Sequence, residues 1–102
     1  MEIYIAERKL QFSIKGSGVR QDFCIRIGRP YLVDTDKIDF PAKEGFAGCS
    51  ITVVGLDETH PDVYGADTVQ AVNLASNLEA FLKRIQKKYD IYWPSGEPYF
   101  DE

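Results

Sequence analysis

His60 is the one histidine of a 102-residue chain, and it stands in "GLDETHPDVYGADTVQA", residues 55–71, among the carboxylates Asp57, Glu58, Asp62 and Asp67. A histidine beside acids has the residue types for metal binding or for activating a nucleophile. A transition-metal site, however, needs three or four converging ligands, often two of them His or Cys at turn or helical spacing. One His with carboxylates that loop geometry fans apart does not meet that demand. Thr59, the adjacent hydroxyl, cannot face His60 productively without special geometry. Pro61 blocks helix here, and acids ahead of a helix N-terminus are favoured by its macrodipole. The first expectation for the stretch is therefore a solvated approach to a helix.

Asp67 has a more specific task. It occupies an N-cap position with Gln70 three residues on, the arrangement of a capping box in which two orphan backbone donors are satisfied. On the first strand, Arg8 falls in the apolar phase between Glu7 and Lys9. An inward arginine must be paired, and Asp67 is a natural partner. A β-bulge that re-aims Arg8, or a side chain snorkelling to the surface, are the competing readings. The candidate ligand-binding residues are thus Arg8, Glu7, His60, Asp67 and Gln70, with no catalytic set, no metal site and no cofactor expected.

The remaining clusters have structural explanations. "DTDKID", Asp34 to Asp39, has the acids of a calcium loop, but Asp39 stands where that loop needs glycine and no Glu closes it. Lys83, Arg84, Lys87 and Lys88 suit the negative end of a helix dipole. Tyr89, Tyr92, Trp93, Tyr99 and Phe100 are read as core and edge cover, since no basic residue follows Lys88 to accompany them on a nucleic acid. No phosphate loop, dinucleotide fingerprint, nucleophile elbow or zinc-protease motif is present.

The elements that must position these residues follow from periodicity. Residues 4–15 alternate, with Tyr4, Ala6, Leu10, Phe12 and Ile14 in one phase, as in a half-buried strand. "GSG", residues 16–18, supplies a hairpin turn. A second strand, about 19–28, groups Phe23, Ile25 and Ile27 against Asp22, Cys24 and Arg26, and Gly28 and Pro30 end it. Residues 31–45 read as a loop or an irregular edge segment, and residues 46–55 as a third strand with Cys49, Ile51 and Val53 in phase. Residues 67–88 form one long helix whose stripe is Val69, Val72, Ala75, Leu78, Leu82, Ile85 and Tyr89, widened by Ala71, Leu74 and Phe81. The aromatic tail returns as a short fourth strand or lies over the sheet edge.

The expectation is a single α+β domain, residues 1–102: a three- to four-stranded, mainly antiparallel sheet with one long C-terminal amphipathic helix packed on one face. A single helix leaves the second face open, and Ile3, Ile5, Cys24, Val54 and part of the tail would line it as a surface for a protein partner or for a homodimer. Charge is segregated, +3 over residues 1–32, −6 over 33–67, +3 over 68–89 and −4 over 90–102, for a net −4. That distribution argues against a general nucleic-acid binder. No apolar run approaches the ~20 residues that span a bilayer, and the start of the chain does not read as a secretion signal. With Cys24 and Cys49 as unpaired thiols, the expected setting is cytoplasmic.

Glu7-Arg8-Lys9-Leu10, Ile27-Gly28-Arg29-Pro30, Cys49, the helix start Gly65-Ala66-Asp67-Thr68-Val69-Gln70-Ala71 and Leu74-Ala75 together resemble a family of small bacterial proteins known only as a domain of unknown function. The resemblance spans about three quarters of the chain. Val72 replaces the leucine of that family's "G-x-D-x-x-Q-A-L" start, and the tail after Pro98 is less similar. It implies this layout and a bacterial cytosolic setting, and no reaction. In size and charge only, the chain is also similar to immunity proteins that neutralise toxin domains. The function expected is a noncatalytic protein-interaction module, immunity-type or regulatory. The alternative is a small enzyme or ligand-binding domain with a pocket between sheet and helix N-terminus.

Overall fold

The structure, a computed structural model, describes residues 3–34 and 45–100. It is α+β, with two antiparallel sheets rather than the single one expected. The strands are β1 (Tyr4–Ile14), β2 (Gln21–Gly28), β3 (Tyr31–Leu32), β4 (Ala47–Cys49), β5 (Ile51–Val54), β6 (Val63–Gly65) and β7 (Tyr89–Tyr92), with helices α1 (Thr68–Ser76) and α2 (Glu79–Ile85) between the last two strands. The larger sheet has the order β5-β2-β1-β7 and the smaller β3-β4-β6.

Two of the sequence elements cross from one sheet to the other. Residues 46–55 do form an extended run, but it divides at Ser50 into β4 and β5. Opposite it, β2 passes through Arg29 and Pro30 into β3, because proline cannot donate to the ladder at that point. The backbone stays joined across the break, where the Gly28 N–H donates to the Ser50 carbonyl at 2.9 Å. Residues 31–45 are expected as a loop or an irregular edge segment, and Tyr31–Leu32 form an edge strand that pairs with Gly48 and Ala47. The Asp34–Asp39 stretch lies outside the described residues beyond Asp34.

The helix expected over 67–88 is shorter and bent. Asn77 leaves helical geometry at φ −84° and ψ 87°, with its N–H donating to the Leu74 carbonyl. Ser76, whose hydroxyl donates to the Asn73 carbonyl at 2.9 Å, precedes the break. Such residues compete for backbone bonds and have modest helix propensity. Both halves enter one core, with α1 lying mainly on the smaller sheet and also meeting β2. The small residues Ala71 and Ala75 of α1 are fully buried, and α1 lies against β4 and β6. In α2, Phe81, Leu82 and Ile85 join the core formed by Leu10, Phe12, Phe23, Ile25 and Ile91. Val69 and Leu74, placed in the apolar stripe by spacing, are instead 76% and 45% exposed. Tyr89, the last residue of the apolar stripe, begins β7, a short fourth strand of the larger sheet as expected of the tail, antiparallel to residues 11–14 of β1.

Candidate functional site

The five residues singled out by the sequence occupy separate places. Asp67 caps α1, its carboxylate accepting from the Gln70 N–H at 2.8 Å. The Gln70 side-chain carbonyl reaches back to the Ala66 N–H at 2.6 Å, one residue earlier than a standard capping box would have it. Both are exposed and engaged with backbone.

Arg8 is directed to the helix-covered side of the sheet, since its cross-strand partner is Ile25, which is fully buried. A bulge exists, at Ile5 between Tyr4 and Ala6, but it lies ahead of Arg8 and does not turn it outward. Its partner is not Asp67. The Arg8 guanidinium donates to the Tyr99 hydroxyl at 2.9 Å and lies 3.8 Å from Glu79 of α2. Its carbon also stands 5.7 Å from the centre of the Trp93 ring. Arg8 therefore joins the start of α2 to the returning tail.

Glu7 projects from the opposite face, by alternation, and accepts from the Arg26 Nε at 2.8 Å. That hydrogen bond holds its carboxyl below the usual range. His60 packs its ring edge against Phe81, centroids 5.4 Å apart, while Arg84 donates to the Thr59 carbonyl and Glu58 accepts from Lys88 and Tyr89. The acidic approach is thus bound down onto α2 and β7. Arg8, Glu7, His60 and Asp67 do not meet, so they enclose no pocket at the helix N-terminus. Among the described residues, no three of His, Cys, Asp and Glu are grouped as a metal would require.

What the structure does assemble is an aromatic and acidic surface on the smaller sheet. Gly65 and Ala47 face α1, so alternation turns Tyr31, Gly48 and Tyr64, which lie opposite one another in register, to the other side. Gly48 is what seats Tyr31: a Cβ there would fall 2.5 Å from the tyrosine ring. Phe46, two residues before Gly48, stacks on Tyr64 with centroids 5.8 Å apart and planes within 7°. The Tyr31 hydroxyl donates to the Asp62 carboxylate, and that bond, followed by partial burial, raises the tyrosine far above its ordinary pKa. The hydroxyl stays protonated as a donor. Tyr31 and Tyr64 remain 39% and 50% exposed. Sequence reasoning passed over this surface, although one signal was present: a glycine inside a strand marks a close approach.

Fold and site define a two-sheet α+β domain with a pre-ordered tyrosine surface. No family model, curated protein or solved structure matches the chain.

Proposed function

We propose that this protein is a noncatalytic protein-interaction module, of immunity or regulatory type, that engages a basic partner through Tyr31, Tyr64, Phe46 and Asp62. The observation that carries the reading is a pair of exposed tyrosines, Tyr31 seated over Gly48 and Tyr64 stacked on Phe46. Tyrosines held rigid before binding lose little entropy on association, and tyrosine is enriched among residues that dominate binding energy. The faces of such rings attract arginine and lysine. Asp34, Asp57, Asp62 and Asp67, all exposed, add the charge that speeds encounter with a basic protein. The alternative, an enzyme using Arg8, Glu7, His60 and Asp67 together, has no place where the four converge.

The test is cross-linking in native cells with identification of the partner by mass spectrometry, followed by binding measurements on the purified pair. The expected partner is basic and stoichiometric. Tyr64→Ala should weaken its binding by about thirtyfold, the effect of losing one hot-spot side chain, and added salt should slow association. Recovery of no stoichiometric protein, or a partner bound equally well by the variant, overturns the proposal.

A further inference from the structure

The uncovered face of the larger sheet is not flat. Tyr4, Val54 and Pro94 border a cleft of about 530 Å³, within the roughly 300–1,000 Å³ of small-molecule sites. Its floor comes from alternate residues of two paired strands: Glu7 opposite Arg26 and Lys9 opposite Cys24. Instead of the apolar surface expected from Ile3, Ile5, Cys24 and Val54, this face has charged groups at its centre.

Those charges are not equally committed. Arg26 is held by Glu7 at 2.8 Å and by the Tyr4 ring, whose centre lies 4.7 Å from the guanidinium carbon. Asp22, the other acid of the lining, accepts from the Gln11 amide at 3.2 Å. Lys9 is exposed and makes no hydrogen bond or ion pair among the described residues, and its charge acts on Glu7 beside it without a direct bond, so its ammonium can meet a ligand on this face. Burial, with Glu7 beside it, pushes the Cys24 thiol up, which keeps it a weakly polar wall rather than a nucleophile.

We infer that this cleft binds a small organic carboxylate with an apolar body, Lys9 meeting the carboxylate and Tyr4 and Val54 the body. The site is independent of the tyrosine surface, which lies on the other sheet.

The probe is biphenyl-4-carboxylate, titrated into isotope-labelled protein and followed by amide chemical shifts, with biphenyl-4-methanol as the uncharged comparison. Saturable shifts are expected at Lys9, Cys24 and Val54. The alcohol should bind about tenfold more weakly, the loss of one charge-assisted hydrogen bond. Lys9→Gln should weaken the acid by a similar factor and leave the alcohol unchanged. Should that variant fail to fold, the acid and alcohol compared on the unaltered chain still decide the matter. No saturation at millimolar probe, shifts elsewhere, or equal affinity for acid and alcohol overturns the inference. So do shifts at these amides that follow protein concentration without probe, which would place a second copy on this face.

Discussion

At the scale of single residues, what was legible was local. Asp67 and Gln70 act within one turn of chain, so their spacing alone specified the cap, worth about 1 kcal/mol in helices generally. The Arg8 partner was not legible, because Glu79 and Tyr99 come to it only after the helix bends and the tail turns back. The packing of His60 on Phe81 was not legible either, because it depends on where α2 lies. Glu7 gives a pH dependence whose sign is fixed by the Arg26 hydrogen bond. Its folded pKa is lowered, so its contribution to stability is complete above the unfolded carboxylate value and is lost as pH falls through the folded one. Urea midpoints taken across the acid range should therefore fall less steeply in Glu7→Gln than in the unaltered protein. Equal slopes would show that the pair contributes nothing to acid sensitivity.

At the scale of elements, strand phases came through and strand continuity did not. Phe23, Ile25 and Ile27, like Cys49, Ile51 and Val53, lie on one side as alternation requires, with Val53 only partly buried. Nothing in "FAGCSITVVG" marks Ser50 as the point where a strand leaves one sheet for another, because that change depends on Gly28 across the ladder. A Cβ on Gly28 would fall 2.1 Å from the Ser50 hydroxyl oxygen but 3.4 Å from its Cβ. The obstruction is thus one atom. Gly28→Ala should destabilise by about 1–2 kcal/mol through crowding, and adding Ser50→Ala should restore most of it, a coupling that a double-mutant cycle measures. Additive losses would show that the two positions do not share this contact.

At the scale of the molecule, the chain passes between the two sheets four times: β2 into β3, β4 into β5, β5 into β6, and β6 through α1 and α2 into β7. The described residues extend 49 × 26 × 22 Å with a radius of gyration of 15.8 Å, against about 13 Å for a compact chain of this length. The described part of the molecule is therefore elongated, with α1 lying mainly against β4 and β6. Composition could not reveal this, since one long amphipathic helix and two short ones at a bend have the same apolar content. The mechanical consequence concerns Leu82, fully buried under α2. Leu82→Ala removes core contacts of the larger sheet and should cost about 2–5 kcal/mol. If these connections transmit that loss, hydrogen exchange should show amides of β4 and β6 in the smaller sheet losing protection by the same free energy as those of β1 and β2. Protection lost from the larger sheet alone would mean that the halves open separately, and then a ligand in the cleft could not stabilise the tyrosine surface. A shared loss would mean that occupying either surface stabilises the other by the binding free energy it supplies to the common folded state.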